Sequence, residues 1–181
     1  RRARATPPHS STGRSSSSTD CYIRGQTRDV TPTIGRVSLP VPIVQLDSEL
    51  PLPAYAHDGD AGLDLFARES ATLAAGGGRA LVPTGIAIAI PMGHGGFVLP
   101  RSGMAVRHGI SVVNGPGLID AAYRGEIKVV LINTDPTVDY RVERGDRIAQ
   151  LVIQRVEAVA WQVVDSLDGV DRGGGFGHSG R

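Results

Sequence analysis

Gly117-Leu118-Ile119-Asp120-Ala121-Ala122-Tyr123-Arg124-Gly125-Glu126-Ile127-Lys128-Val129-Val130-Leu131-Ile132-Asn133 sets turn chemistry directly against an apolar run. Ile127, Val129 and Leu131 recur at period two, which places them on one face of a β-strand. On either side of this segment, Ile86, Ile88 and Ile90 alternate with Ala87 and Ala89, and Val138, Tyr140 and Val142 alternate with Asp139, Arg141 and Glu143. Short apolar runs broken by Gly, Pro, Asn and Asp continue from Val41 until the pattern fades after Trp161. Only Ser102 to Arg107 and the region near Asp146 to Ala149 have the texture of a helical turn. The expectation is an all-β single domain of sandwich, jelly-roll or barrel type, with no solenoid repeat.

The 181 residues suffice for one domain with a proper core. Lys plus Arg number 19 against 18 for Asp plus Glu, so global charge points to neither nucleic acid nor membrane as a partner. The local distribution is uneven. Residues 1–36 carry seven arginines against Asp20 and Asp29, with serines at 10, 11 and 15 to 18. So polar a stretch cannot offset its own ordering entropy, and residues 1–40 are predicted to be a disordered leader. The chain opens on Arg1 and its first methionine is Met92, so the sequence reads as a fragment, a processed form or an over-extended reading of a gene. The leader also resembles an organelle transit peptide, although a dispensable tail is the preferred reading. The one cysteine, Cys21, has no intrachain partner, and no run approaches the ~18 apolar residues of a membrane span. A cytoplasmic protein with no membrane contact is expected.

Familiar nucleotide and metal signatures are missing from the sequence. There is no GK[ST] phosphate loop, no dinucleotide fingerprint, no HxH or HExxH among the five histidines and no GxSxG elbow around Ser102. What stands out is a series of polar clusters at the ends of apolar runs. In Asp60-Ala61-Gly62-Leu63-Asp64-Leu65, alternation puts Leu63 and Leu65 toward the core and Asp64 on the other side, where a carboxylate could hold magnesium-bound water. Pro100-Arg101-Ser102-Gly103-Met104-Ala105 combines a guanidinium fork, a hydroxyl and an open backbone at the start of a helical turn, a plausible phosphate cradle. Asn114-Gly115-Pro116-Gly117 through Lys128 reads as a tight hairpin with Asn114 on the entering strand, Asp120 at the rim and Tyr123 three residues on. A base could insert there, with the backbone and the Asn114 amide reading its polar edge, Asp120 activating water and Tyr123 packing on a sugar. Gln150, inside the apolar run after Arg144-Gly145-Asp146-Arg147, could contact phosphate. Finally, Arg172 and Phe176 stand alone amid glycine in the tail, as expected of a lid that orders over a ligand.

In this order the five clusters resemble the five motifs of the dUTPase family, the trimeric all-β deoxyuridine 5′-triphosphate nucleotidohydrolases. The resemblance runs from about Val41 to Arg181. It implies a distorted jelly-roll, β-clip-like domain over residues 41–165, and a flexible C-terminal arm over 166–181 that closes active sites at the subunit interfaces of a homotrimer. The implied reaction converts dUTP and water to dUMP and pyrophosphate, limiting uracil in DNA and supplying dUMP for dTMP synthesis. By the same resemblance, Asp120 orients and deprotonates the attacking water. Asn114, the backbone of Gly117, Leu118, Ile119 and Asp120, and Lys128 form the uracil pocket, and Tyr123 underlies the deoxyribose. Arg101, Ser102, Gly103 and Gln150 contact phosphates, Asp64 holds Mg2+ through water, and Arg172, Phe176, Gly177 and Ser179 belong to the arm. No nucleic acid is required. A triphosphate brings its own oxygen ligands to magnesium, which accounts for the lack of a dedicated metal motif. The rival readings are a dCTP deaminase or bifunctional dCTP deaminase/dUTPase, which needs a general acid/base beside cytosine, and a trimeric binding protein with a secondary interaction role.

Overall fold

The computed structural model describes residues 38–169, so Cys21, Arg172, Phe176, Gly177 and Ser179 lie outside the described residues. The described residues from Leu39 onward belong to one compact unit. They form strands β1 (Ile43–Gln45), β2 (Leu63–Phe66), β3 (Ala71–Leu73), β4 (Arg79–Pro83), β5 (Ile86–Ile88) and β6 (His94–Leu99). A helix, α1 (Ser102–His108), follows, and then β7 (Ile110–Val112), β8 (Gly117–Ile119), β9 (Lys128–Asn133), β10 (Tyr140–Val142) and β11 (Arg147–Arg155). The architecture is all-β, as the period-two pattern predicts. Every strand pair is antiparallel. A four-stranded sheet runs β2-β11-β6-β8, a three-stranded sheet runs β4-β9-β7, and β1-β5 and β10-β3 form two ribbons.

The alternating residues supply the core. Val129 and Leu131 of β9 point inward with Val82, Ile110 and Val112 of their own sheet, and meet Leu65, Val98, Ile119 and Leu151 of the other in one cluster. Ile86, Ile88, Ile90 and Ile127 complete it. Asn133 ends the β9 alternation fully buried, donating to Leu73 O at 3.1 Å and Val138 O at 2.8 Å while its own oxygen accepts from Asp135 N at 3.0 Å. Val138 therefore belongs to the turn before β10, not to the strand.

Other expectations change. Asp146 to Ala149 is no helical turn. Gly145, at φ 89°, makes a tight reversal. The Asp146 carboxylate closes it by accepting from Glu143 N at 2.9 Å, and β11 then starts at once with Arg147 opposite Phe66. The register slips between Arg147 and Ala149, a bulge that turns both Ile148 and Ala149 inward. The anticipated hairpin around Asp120 is also absent. β7 pairs with β9, whereas β8 pairs with β6 in the other sheet, so the chain between Val112 and Gly117 crosses from one sheet to the other. Asn114 lies in that crossing, not on a strand. The last strand stops at Arg155, well before Trp161. α1 matches its expected place, and Gly109 ends it in the left-handed region at φ 65°, its N–H bonding Ala105 O.

The turn between β10 and β11 is tied to the N-terminal segment by charge. Arg144 grips both oxygens of Asp47 and also donates to Glu49 at 2.9 Å and to Arg68 O at 2.9 Å. The hydrogen bond from Arg144 holds the Asp47 carboxyl below its ordinary 3.8, Arg141 does the same for Glu143 below 4.5, and the Thr137 and Val138 N–H groups lower Asp135. A depressed carboxylate contributes stability that is complete above its unfolded value and disappears as pH falls through its folded one. Urea midpoints should therefore hold down to about pH 4.5 and fall below it, and Arg144→Ala should flatten the part of that fall owed to Asp47. In the core, Leu65→Ala should cost about 2–5 kcal/mol at neutral pH, read from the same unfolding curves.

Candidate active site

β6 ends at Leu99, and Pro100 and Arg101 carry the chain into α1. Arg101 is still extended at φ −90°, and its carbonyl receives the N–H groups of Met104 and Ala105. Its guanidinium turns back over the sheet to which β6 itself belongs, above β11 and β2. There Nη1 donates to Arg147 O at 2.7 Å, and Nε lies 3.4 Å from Asp64 Oδ1. Arg147 Nη1 donates to Asp64 Oδ2 at 3.0 Å. Asp64 does stand opposite to Leu65 on β2, but it is only 6% exposed, because the two guanidiniums roof it over. Its Oδ1 has no hydrogen-bond partner. Gln150 sits directly opposite Asp64 in register, and its side chain lies on Gly62, where an added Cβ would come within 3.1 Å of it. Arg107 lies against Gly103 in the same way, at 2.9 Å from an added Cβ. The cluster thus gathers Asp64, Arg101 and Gln150, with Ser102 exposed at the start of α1, around an excess of positive charge suited to a polyanion.

Arg147 is the functional candidate that sequence reasoning passed over. It lies three residues before Gln150, a spacing that strict alternation assigns to the opposite face. The bulge removes that objection, since Arg147 and Gln150 stand opposite Phe66 and Asp64, two positions apart on one strand.

A second group is built on β8. This strand is the edge of the four-stranded sheet, so one row of its backbone N–H and C=O groups faces away from β6. Gly117 and Ile119 are buried, whereas Leu118 and Asp120 are exposed. The Asn114 amide lies against Gly117, 3.4 Å from where a Cβ would stand. Beyond the strand, Asp120 O accepts from Tyr123 N at 3.0 Å, and Arg124 reaches back to the carbonyls of Ala121 and Tyr123 at 2.6 and 2.7 Å. The Tyr123 hydroxyl donates to Glu126 O at 2.9 Å, which lays the ring over Gly125. An added Cβ at Gly125 would come within 2.5 Å of that hydroxyl, so a side chain there would have to push the ring aside. Lys128 is exposed at the start of β9, opposite Pro83.

Strand register places the two groups relative to each other. Gly117 faces Val98 near the Arg101 end of β6, but Ile119 faces Gly96. Asp120 thus continues toward the far end, and the rise from Gly96 to Leu99 alone separates it from Arg101 by roughly 10 Å along the strands. Asn114 and Gly117 lie near the phosphate-type cluster of the same chain, whereas Asp120 and Tyr123 are carried away from it.

The family model for dUTPase matches residues 48–180. The deoxyuridine 5′-triphosphate nucleotidohydrolase of Thermobifida fusca is 58% identical over 153 residues, 84% of either chain. The protein of that description in Mycobacterium tuberculosis is 57% identical over 150 residues, covering 80% of this chain and 97% of its own. In three dimensions the chain is similar to the Staphylococcus bacteriophage 80alpha dUTPase with dUPNHPP, at a TM-score of 0.71 and 26% identity over 79% of this chain and 99% of that one.

Gly125→Ala should displace the Tyr123 ring and break its bond to Glu126 O while leaving β8 and β9 in place. A crystal structure of the variant checks this, and a ring still seated over residue 125 would contradict it.

Proposed function

The chain belongs to the dUTPase family and is a dUTP diphosphatase, and we propose that it cleaves dUTP with Asp120 as the base at sites assembled between copies of the chain. The observation that carries this reading is the separation just described. An exposed carboxylate beside a base-reading edge strand and an arginine-rich phosphate cluster stand apart in one subunit, each open for the other half to come from a neighbour.

The chain has the apolar surface for such an assembly. After Arg155 the backbone leaves the sheet with Val159, Trp161 and Val163 exposed, Trp161 at 90% and Val163 at 95%. Surfaces of this kind mark contacts with another chain. We assign the assembly as a homotrimer with its sites at the subunit interfaces. Residues 41–165 carry the catalytic domain, and the arm at 166–181 closes over substrate through Arg172, Phe176, Gly177 and Ser179.

In this reading uracil lies along the outer edge of β8. The outward-facing backbone groups of the Gly117-Leu118-Ile119 edge and the Asn114 amide match its alternating donors and acceptors, and Lys128 borders the pocket. Tyr123 packs under the deoxyribose, where a 2′-hydroxyl would collide with the ring. Arg101, Ser102, Gly103 and Gln150 hold the phosphates. The Asp120 carboxylate takes a proton from water as the water oxygen bonds to the α-phosphorus, and the bond to the β-phosphate oxygen breaks to release pyrophosphate. Positioning and charge neutralisation do most of this work.

Magnesium fits as an ion carried in by the triphosphate. No cluster of three or more His, Cys, Asp or Glu able to hold a metal occurs among the described residues, whereas the buried Asp64 Oδ1, ion-paired to Arg101 Nε at 3.4 Å but without a hydrogen-bond partner, would accept a hydrogen from a metal-bound water once Arg101 turns outward to phosphate. Bound there, the ion would neutralise phosphate charge. A deaminase would need a free carboxylate beside the ring, but Glu126 already accepts from Gly85 N at 2.9 Å and from Arg68 at 3.3 Å. A cytoplasmic location accords with the single cysteine, and no described helix is long and apolar enough to cross a membrane.

Asp120→Asn should lower kcat on dUTP on the order of 10²–10⁴-fold, followed by pyrophosphate release, while the affinity for a non-hydrolysable dUTP analogue stays within a few-fold. Unchanged turnover would remove Asp120 from the mechanism.

A further inference from the structure

The loop carrying Asp120 and Tyr123 ends in an anchorage that the reaction itself does not call for. Ile127 O accepts from both the hydroxyl and the N–H of Thr84, at 2.7 and 3.1 Å, and Ile127 N donates to Ile86 O at 2.9 Å. Between these bonds, the Glu126 side chain reaches the β4–β5 turn, where Oε1 accepts from Gly85 N at 2.9 Å and faces Arg68 Nη1 at 3.3 Å. Gly85 is held at φ 73°, and a Cβ there would come within 3.0 Å of Asp47 Cβ, so the turn is pressed against Asp47. Arg68 donates through its own N–H to Pro83 O at 2.8 Å, and its Nε lies 3.6 Å from Asp47 Oδ2, the oxygen that Arg144 Nη1 also holds. One residue therefore faces two ways. The Glu126 carboxylate is fixed to the scaffold, and its backbone oxygen holds the Tyr123 hydroxyl.

We propose that Glu126 is a positioning residue that sets the seat of the Tyr123 ring, and with it the discrimination between deoxyribose and ribose triphosphates, through its anchorage on Gly85 and Arg68. This rests on the reading of Tyr123 as the platform under the sugar. Glu126 touches no substrate. If its anchorage is lost, the carbonyl that holds the hydroxyl is free to shift, the ring can tilt, and room opens for a 2′-hydroxyl. Asp120 sits at the other end of the loop, tied to β8, and should be disturbed less.

The test compares kcat/KM for dUTP and UTP in the full-length wild type, Glu126→Ala, Glu126→Gln and Tyr123→Ala, with urea unfolding of each. Glu126→Ala should reduce the dUTP preference about tenfold, the size expected from losing a charge-assisted hydrogen bond. The dUTP effect should fall on KM, with kcat within about twofold. Glu126→Gln keeps an acceptor for Gly85 N–H but loses the charge facing Arg68, and should reduce the preference about threefold by the same reasoning. Equal losses on both substrates, with the preference intact, would mean a purely structural role and overturn the proposal. If Glu126→Ala does not fold, a wild-type preference in Glu126→Gln overturns it alone. The underlying reading fails separately: if Tyr123→Ala keeps the wild-type preference, Tyr123 is not the sugar platform, whereas a relaxed Tyr123→Ala beside unchanged Glu126 variants rejects only the role of Glu126.

Discussion

Hydrogen bonding of β11 to two neighbours at once governs where the polar groups of this fold can stand. One edge of β11 runs along β6 from Gln150 opposite Leu99 to Arg155 opposite His94, and the other runs along β2 from Arg147 to Leu151. A strand paired on both edges has no freedom to slide, since a slip of one residue would exchange its buried and exposed faces. Leu151 and Ala149 are thereby committed to the core, and Gln150 to the face where Asp64 lies. The bulge near Ile148 is the one release from strict alternation, and it brings Arg147 onto that same face. A phosphate-type cluster thus follows from core packing, with its side chains on regular elements and not on a long loop.

β6 performs the complementary task. It lies between β11 and β8, so the strand that ends in the Arg101 cluster also carries β8 on its other edge. Antiparallel pairing sends Asp120 one way and Arg101 the other. In the proposed reading the site is shared between copies, an arrangement in which assembly and activity are coupled. The exposed Val159, Trp161 and Val163 would supply apolar area for that coupling, area that is a liability on a lone subunit.

Much of this was legible in the amino-acid pattern because it depends on local periodicity. Ile127, Val129 and Leu131 face the core as their spacing predicts, and α1 opens at Ser102 as the Pro-Arg-Ser-Gly sequence suggests. The failures share a cause. Asp146 to Ala149 has the texture of a helical turn, but its adjacent apolar residues Ile148 and Ala149 both turn inward at a bulge, a pattern that local sequence does not separate from a helix. The region around Asn114 and Asp120 looked like a hairpin because turn residues flank it, yet turn residues do not specify which strand comes to lie alongside. Pairing of β8 with β6 is a long-range choice, made by the burial of Gly117 and Ile119, that no window of sequence contains. Arg147 was overlooked for a related reason, since its partnership with Asp64 depends on the pairing of β11 with β2 and on the bulge between Arg147 and Ala149.

Asp64 shows how such a nonlocal arrangement carries chemistry. A carboxylate this buried is costly to desolvate, and it is tolerated because two guanidiniums compensate it, Arg147 at 3.0 Å and Arg101 at 3.4 Å. The balance is deliberately unequal in sign, with one negative group against two positive ones, so the roof over Asp64 remains net positive toward solvent. A neutral or apolar residue at position 64 would leave the Arg147 guanidinium free to extend into water and Arg101 held by its bond to Arg147 O alone, and side-chain entropy would oppose holding the two together. The carboxylate draws both guanidiniums toward one point while neutralising only part of their charge. Arranging cations before an anion arrives lowers the reorganisation that binding and charge development would otherwise require. Gln150, neutral and opposite Asp64 in register, adds polarity to that face without spending any of the positive charge the two arginines retain.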